Sequence, residues 1–281
     1  MNLDPLPVQS LLRDYGLKPK KGLGQNFLID DTYLQRIVEA ANVTASDEVL
    51  EIGAGIGSLT RHLAGAAGQI TAVEIDNQLF PILKKVLKGF DNVRLIEGDI
   101  MEIESRELTS QAVFKVVANI PYYLTSNLIR HLLEAPFKPA VIALTIQKEV
   151  AERVCAEPGK MSLLSLGVQI YGKPRIAFLI PAKAFYPIPK VDSALLLVDL
   201  YYQPVISVES LDSFFKLAKA AFMQKRKKLH NALAGAPGLG NQKAVELLYR
   251  SGIDPDRRAQ TLALQEWYLL TEEYCKLVAE K

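Results

Sequence analysis

The sequence predicts an α/β fold with a doubly wound, mostly parallel sheet, followed by a small all-helical domain. First, short apolar runs alternate with amphipathic segments, which is typical of parallel sheets covered by helices on both faces. Second, a glycine-rich turn at residues 53–57 directly follows an apolar run. Third, the pattern becomes helical throughout after Gln203 and Pro204. Together these observations predict a sheet domain that precedes a helical one.

The predicted elements begin with a short helix within residues 1–16 and a basic, glycine-punctuated segment over 18–24. Asp30-Asp31-Thr32 can cap a helix that runs to about Ala41, because a side-chain oxygen can accept a free backbone N–H. Apolar runs then predict strands at 48–52, 69–75, 93–97, 113–118 and 140–146, with helices at 57–64, 77–88, 124–134 and 147–155.

The second half of the chain completes the sheet and then changes character. A helical segment and two strands, 175–180 and 194–200, follow residue 161, and a proline-rich ordered loop separates the two strands. Beyond them, helices are predicted over 211–227, 242–251 and 264–279. We therefore predict a sheet domain over 1–204, with a basic extension at 1–25, and a helical domain over 205–281.

Composition narrows the function classes. The chain has 281 residues, 49% of them hydrophobic, and a net charge of only +2, so any nucleic acid must be held by local basic patches. Cys155 and Cys275 lack metal-ligand spacing, so no metal site and no disulfide framework is expected. The sequence has neither a run of about 18 apolar residues nor a signal pattern. These features predict a soluble, cytoplasmic protein without a membrane partner.

The glycine turn and two acidic residues predict a cofactor site. Glycines after a first strand let the backbone approach a ligand, but the spacing here is G-x-G-x-G rather than the dinucleotide pattern. Glu74 ends the second strand and suits a ribose diol, which fits NAD and S-adenosylmethionine equally. Asp99, after the third strand, can accept a hydrogen bond from an adenine amine and favours S-adenosylmethionine. Helix capping or surface solvation explains each acid alone equally well.

The run Asn119-Ile120-Pro121-Tyr122 follows an apolar strand and is typical of enzymes that methylate the exocyclic amine of adenine. That amine is a poor nucleophile because its lone pair is delocalised into the ring. The Asn119 oxygen and the Pro121 carbonyl can accept its two hydrogens and draw the nitrogen toward tetrahedral geometry. The Tyr122 ring can stack on an extruded base.

In their order along the chain, these motifs resemble the ribosomal RNA adenine N6,N6-dimethyltransferase family nearly end to end. The resemblance implies a Rossmann-like, class I S-adenosylmethionine-dependent methyltransferase domain. The matching segments are 24–28, 49–57, 72–76, 98–99, 119–122 and 185–193. By the same resemblance, the S-adenosylmethionine pocket is expected to contain Asn26, Leu28, Gly53, Glu74, Asp99 and Asn119.

The substrate side is predicted from the same resemblance and from charge. Phe185 is the candidate for the second face of the target base, although a core aromatic in a proline-rich turn is the alternative. No general base is assigned, because the amine proton becomes acidic as the nitrogen gains positive charge. Phosphate contacts are predicted for two basic clusters, although a solvated helix face is the simpler interpretation of each. The clusters are Lys18, Lys20 and Lys21, and Lys225, Arg226, Lys227 and Lys228.

The implied activity is dimethylation of two adjacent adenosines in the loop of the 3′-terminal hairpin of small-subunit rRNA, by a monomer acting on rRNA or the immature 30S subunit. A resistance-type enzyme acting on one adenosine of large-subunit rRNA shares the Asn119 motif. Segments 147–150, 222–229 and 252–259 resemble the small-subunit branch. A non-catalytic RNA-binding assembly or transcription factor on the same fold is another hypothesis, and an NAD oxidoreductase is a distant one.

Overall fold

The computed structural model describes residues 3–111 and 113–279. Its strands are β1 Phe27–Leu28, β2 Glu48–Ile52, β3 Gln69–Glu74, β4 Val93–Glu97, β5 Lys115–Asn119, β6 Val141–Gln147, β7 Gly172–Ile180, β8 Phe185–Tyr186 and β9 Ser193–Leu200. Its α-helices are α1 Val8–Asp14, α2 Asp31–Ala40, α3 Ser58–Ala64, α4 Phe80–Val86, α5 Ser105–Leu108, α6 Thr125–Glu134, α7 Lys148–Val154, α8 Leu163–Gln169, α9 Leu211–Met223, α10 Leu229–Leu233, α11 Gly240–Arg250 and α12 Leu264–Ala279.

Seven strands form one sheet in the order β4-β3-β2-β5-β6-β9-β7. The pairs from β4 across to β6 are parallel, and β9 runs antiparallel to β6. The predicted mostly parallel, doubly wound sheet is therefore confirmed. Strand order reverses between β2 and β5, and ligands of open α/β sheets bind beyond the carboxyl ends of the strands at such a point.

Burial explains why the central strands are mostly apolar. Val116, Val117 and Ala118 of β5 are fully buried, as strands covered by helices on both faces require. All five residues of β2 are also buried, although two of them are Glu48 and Glu51. The amphipathic helix α2 begins where predicted, because the Asp30 carboxylate accepts the Thr32 backbone N–H at 3.0 Å.

A small second sheet was not predicted. β1 pairs antiparallel with β8, so that Leu28 stands opposite Phe185 and Phe27 opposite Tyr186. The sequence indicated only an entry motif at 24–28 and a proline-rich loop before 190. Two-residue strands have too little periodicity to detect, so their pairing depends on tertiary contacts.

The chain divides into two compact units. The first comprises residues up to Ala151 together with Pro174–Leu200, and the second comprises Glu152–Lys173 together with residues from Tyr201 onward. The helical unit therefore includes α8, a segment that the boundary at residue 204 left in the sheet domain. A chain that leaves one unit and returns to it cannot be divided at a single sequence position.

The helical unit is built around Trp267, which is fully buried. Its ring stacks on Phe222 with centroids 5.9 Å apart and meets Phe214 edge-on at 6.3 Å. Helix α9 ends at Met223, not at 227 as predicted, because Gln224 leaves the helical conformation at φ −120° and ψ 52°. The four consecutive cations that follow therefore lie outside α9. Over residues 3–111 and 113–279, no helix is long and apolar enough to cross a membrane.

Candidate active site

A cleft opens beyond the carboxyl ends of β2, β3 and β5. Its walls include five predicted cofactor residues, namely Asn26, Gly53, Glu74, Asp99 and Asn119. These residues come from separate strands and loops, and the parallel register of the sheet brings them to one edge. The structure therefore brings together the residues that the motifs indicated one at a time.

The glycine turn has the backbone that its sequence demands. Gly53, Gly55 and Gly57 have φ values of +76°, +61° and +87°, which side chains other than glycine rarely tolerate. A Cβ on Gly55 would come within 3.2 Å of the Phe27 ring. The turn therefore needs glycine both for its conformation and for the close approach of β1.

Glu74 is held by the glycine turn itself. Its Oε2 accepts the Gly55 backbone N–H at 2.7 Å, and its Oε1 accepts the Asp76 N–H at 2.9 Å. The residue is only 6% exposed, and burial raises the pKa of its carboxyl while these backbone donors lower it. Each carboxylate oxygen keeps a further acceptor position. The arrangement fixes the carboxylate at the cleft wall with capacity left for a hydroxyl donor.

Asp99 is half-buried and partly committed to its own turn. Its Oδ1 accepts the Met101 backbone N–H at 2.9 Å. This is the local capping role that its sequence context also allowed. Its Oδ2 has no hydrogen-bond donor among the described residues, although the side chain borders the cleft.

Asn119 ends β5 and is oriented by the entry motif. Its Nδ2 donates to the Asn26 carbonyl at 3.1 Å, while the Asn26 Nδ2 donates to the Gly24 carbonyl at 3.1 Å. Since a carbonyl can only accept, the amide orientation of Asn119 is set. Its Oδ1 is therefore the atom available as an acceptor in the cleft.

The residues after Asn119 form a compact turn. The Pro121 carbonyl accepts the Leu124 N–H at 3.1 Å, which leaves it one acceptor position for a ligand. The Tyr122 hydroxyl lies 2.9 Å from the hydroxyl of Ser193, the first residue of β9, so this contact fixes the orientation of the Tyr122 ring. Burial raises the pKa of Tyr122, while the contact with Ser193 lowers it.

Two predicted residues are more buried than their proposed roles suggest. Phe185 is 1% exposed and packs in the core, although one part of it borders the cleft. Leu28 is 2% exposed, belongs to the same core cluster and does not line the cleft. The pairing of β1 with β8 explains both positions, because it buries these two residues opposite each other.

Sequence reasoning missed a clamp that holds the entry motif on the sheet. Asp76 is only 4% exposed. Its carboxylate accepts hydrogen bonds from Lys20 Nζ at 2.7 Å and from Gln25 Nε2 at 2.8 Å. These donors hold the pKa of Asp76 below its usual range against the effect of burial. Lys20 is thus engaged within the protein, whereas Lys18 and Lys21 are exposed and make no ion pair among the described residues. The only signal was the proximity of Asp76 to Glu74.

Tyr123 was also missed. It is 62% exposed and borders the cleft, and a Cβ on Gly24 would come within 3.3 Å of its ring. The glycine therefore lets the entry motif lie against this aromatic side chain. The doubled tyrosine of the motif was the available signal.

Below the glycine turn lies a buried carboxyl group, Glu51, which is 1% exposed. Burial raises its pKa to about 8; the nearby Thr60 hydroxyl lowers it in part, and the charge on Glu74 raises it. Within the described residues, neither Glu51 Oε2 nor Thr60 Oγ1 makes a well-formed hydrogen bond. Glu51 is therefore neutral over most of the physiological pH range.

In the helical unit, the predicted phosphate-binding cluster follows the end of α9. Lys225, Arg226 and Lys227 are exposed and form no ion pair with any described residue. Lys228 instead pairs with Asp256 at 2.8 Å. The cluster thus divides into three uncompensated cations and one neutralised cation.

Comparison with known proteins gives one consistent result. The family model for ribosomal RNA adenine dimethylase matches residues 16–276. A ribosomal RNA small subunit methyltransferase A from Dehalococcoides mccartyi is 43% identical over 268 residues, which cover 95% of this chain and 92% of that protein. A protein of the same name from Moorella thermoacetica is 42% identical over 269 residues, covering 92% and 93%.

Solved structures show the same architecture. A dimethyladenosine transferase from Plasmodium falciparum is similar with a TM-score of 0.76 and 25% identity, over 89% of this chain and 97% of that one. The 23S rRNA methyltransferase ErmE is similar with a TM-score of 0.72 and 26% identity, over 88% and 98%.

Proposed function

The chain belongs to the ribosomal RNA adenine dimethylase family, and from that premise we propose that it dimethylates the N6 amines of two adjacent adenosines in the loop of the 3′-terminal hairpin of small-subunit rRNA. It is an rRNA adenine dimethyltransferase that uses S-adenosylmethionine. The observation that best supports the proposed chemistry is the orientation of Asn119, whose amide nitrogen is committed to the Asn26 carbonyl. That bond presents an oxygen acceptor to the target amine.

The cleft fits the cofactor through its own unused acceptors. We assign Glu74 to the ribose hydroxyls and Asp99 Oδ2 to the adenine amine, because both carboxylates border the cleft and keep acceptor capacity. Gly53 has no side chain, so the space beside the Asn119 backbone carbonyl stays open. A Cβ on Gly53 would lie 3.7 Å from that carbonyl oxygen. Asn26 completes this wall. When bound, S-adenosylmethionine supplies the electrophilic methyl group.

The protein's part in the chemistry is positioning and electrostatic stabilisation. Asn119 Oδ1 and the free acceptor position of the Pro121 carbonyl take the two hydrogens of the target amine. These contacts strengthen as the nitrogen becomes tetrahedral and positively charged, so they stabilise the transition state more than the ground state. The acidified proton then passes to solvent. Tyr122, anchored by Ser193, supports one face of the extruded base. Phe185 borders the cleft but is only 1% exposed, so only an edge of its ring could contact the other face.

The small-subunit branch is the better-supported choice of substrate. The curated relatives named for small-subunit rRNA are 42–43% identical to this chain over most of both lengths. The solved structures do not separate the branches, since the 23S rRNA enzyme is 26% identical and the dimethyladenosine transferase 25% identical to this chain. The shared Asn119 motif cannot separate these branches, whereas identity over the whole length favours one of them.

We further propose that the enzyme works in the cytoplasm as a monomer and acts on an immature 30S particle. Lys18 and Lys21, near the entry motif, and Lys225, Arg226 and Lys227 would bind rRNA phosphates. Their exposure and their lack of carboxylate partners among the described residues support this role. Phosphate contacts of this kind give affinity that falls steeply with salt.

The test is to incubate the protein with labelled S-adenosylmethionine and immature small ribosomal subunits, and then to map the modified nucleotides. Dimethylation of two adjacent adenosines in the 3′-terminal hairpin is expected. Label confined to one adenosine of large-subunit rRNA would identify the rival branch. Binding of rRNA without methyl transfer would leave the binding-factor hypothesis.

A further inference from the structure

The helical unit contains a second basic feature, which sequence inspection did not detect. A pocket there is lined by Arg153, Lys160 and Lys225, together with Ser162, Phe222 and Gln260. We call it the basic pocket. Its cations lie far apart along the chain and belong to three different segments. Lys225 is part of the basic run at 225–228, but no local run of charge indicated Arg153 or Lys160. All its residues lie within the second compact unit.

The backbone fixes the loop that carries Lys160. The Gln260 carbonyl accepts both the Gly159 N–H at 2.8 Å and the Met161 N–H at 3.2 Å, so hydrogen bonds hold the residues on both sides of Lys160. The next residue, Ser162, forms a capping box with Ser165 at the start of α8. Backbone hydrogen bonds and the capping box therefore fix the conformation of this loop, which places Lys160 in the lining of the pocket.

The other two cations come from the ends of helices. Arg153 is in the last turn of α7, and Lys225 follows the end of α9 by two residues. Below them lie Phe222, 6% exposed, and Met161, 4% exposed, which give the pocket a packed apolar floor. Three charged side chains are thereby placed around one rigid depression.

Within the described part of the chain, no acid compensates this charge. The pocket lining contains no carboxylate, and none of the three cations forms an ion pair or side-chain hydrogen bond with a described residue. Elsewhere in the same unit the protein neutralises its cations, as Arg257 with Glu266 and Lys228 with Asp256 show. Like charges that share a small region repel one another, which destabilises the arrangement unless an anion binds.

We propose that the basic pocket binds a phosphodiester group of the substrate RNA, through Arg153 and Lys160 as well as Lys225. The proposal rests on the proposed function, because it takes rRNA as the substrate. It adds a phosphate site beyond the exposed turn at 225–227. Guanidinium and ammonium groups around a concave site match an oxyanion with several acceptor oxygens.

A purely structural role makes a different prediction. Cations near helix C-termini also stabilise the helix dipole, and both Arg153 and Lys225 stand at such ends. Lys160 stands in a loop after α7 and before α8, where no helix ends. If dipole compensation explained the pocket, neutralisation would lower stability and leave RNA binding unchanged.

The experiment measures affinity for small-subunit rRNA at several salt concentrations, with Arg153→Gln/Lys160→Gln against wild type. The matched control is Lys219→Gln/Lys243→Gln, which removes the same charge from the same unit outside the pocket. The slope of log affinity against log salt should fall by about 0.7–0.9 for each phosphate that the pocket variant no longer neutralises, and the control should keep the full slope. Arg153→Lys/Lys160→Arg, which keeps both charges, should keep most of the slope.

An unchanged slope in the pocket variant, or the same reduction in the control, would overturn the proposal, with or without a fall in melting temperature. If the double variant does not fold, Lys160→Gln alone tests the site, and it should reduce the slope by part of the amount expected for the double variant, while Lys219→Gln alone should not. Methylation by the wild type is assayed in parallel. A wild type that binds but does not methylate small-subunit rRNA contradicts the proposed function, whereas a methylating wild type with an unaffected pocket variant contradicts this inference alone.

Discussion

The cleft and the basic surface of the helical unit use polar groups in opposite ways. In the cleft, Glu74 and Asn119 are each fixed by hydrogen bonds to backbone groups before any ligand binds. In the helical unit, Lys225, Arg226 and Lys227 extend from a turn without a carboxylate partner among the described residues. Preorganised groups need no rearrangement when charge develops in a reaction. Uncompensated exposed cations, by contrast, suit a polyanion whose counterions are released on binding.

Because of this difference, the two regions should respond differently to mutation. Changes in the cleft should alter chemistry and cofactor affinity and have little effect on the salt dependence of RNA binding. Changes in the helical unit should alter that salt dependence and leave cofactor affinity unchanged. Three experiments test this division, beginning with the most disruptive substitution, and a fourth tests the buried carboxyl group below the glycine turn.

Asn119→Ala should lower the single-turnover methylation rate by about 100–1,000-fold, the scale seen when one preorganised transition-state contact is removed. RNA affinity should change little, because the contact strengthens only as the nitrogen becomes tetrahedral. The measurement is single-turnover methyl transfer beside RNA binding. A proportional fall in RNA affinity with an unchanged rate would make Asn119 a binding residue instead.

Glu74→Ala should weaken S-adenosylmethionine binding by about 1.5–3 kcal/mol for each charge-assisted hydrogen bond that it abolishes. The matched control is Glu97→Ala, since Glu97 stands opposite Glu74 in the β3–β4 register but is exposed and outside the cleft. Calorimetric titration of folded variants should show weaker binding for the Glu74 variant only. Equal affinities in all three proteins would refute the ribose assignment. Asp99→Asn should resemble Glu74→Ala through the adenine amine.

Replacing Lys225, Arg226 and Lys227 by glutamine should reduce the salt slope of RNA binding by about 0.7–0.9 for each phosphate that is no longer neutralised. Lys228→Gln alone should have little effect, because that side chain already pairs with Asp256. Exposed charges contribute little to stability, so melting temperatures should be similar. Parallel salt plots for the triple variant and wild type would favour a merely solvated turn.

Glu51→Gln should alter how the free energy of unfolding depends on pH. The effect should be on the order of 1 kcal/mol or more, since each unit of pKa shift corresponds to about 1.36 kcal/mol. Burial raises the folded pKa of Glu51 from 4.5 to about 8, so the folded state binds more protons than the unfolded state between these values. Wild-type stability contributed by this group therefore falls as pH rises from about 4.5 to about 8.

The glutamine variant has no carboxyl group to titrate at this position. Its free energy of unfolding relative to wild type should therefore increase as the pH rises from about 4.5 to about 8. Urea unfolding at pH 5 and pH 8 measures the difference. A stability gap that is the same at both pH values would show that Glu51 does not hold its proton in the folded state.

The sequence was most informative where one local pattern fixed one element. Apolar runs predicted strands at 69–75 and 113–118, and the structure ends β3 at Glu74 and β5 at Asn119, each within one residue of the predicted end. The segment Asp30-Asp31-Thr32 predicted the start of α2, and the structure identifies Asp30 as the cap, because capping joins side-chain and backbone groups two residues apart. The glycine turn was equally local, since its φ values exclude other residues.

The fold class, the order of the cofactor and catalytic motifs, and the resemblance to one family could therefore all be predicted from the amino-acid sequence. How these pieces act on each other was set by packing. Packing buried Leu28 against Phe185 and engaged Lys20 with Asp76, and it also gathered the three cations of the basic pocket. The physical reason is that capping, periodicity and glycine conformation act over a few residues. Ion pairs, strand pairing and pocket formation join groups that are distant in sequence, and their partners are set only when the chain has packed.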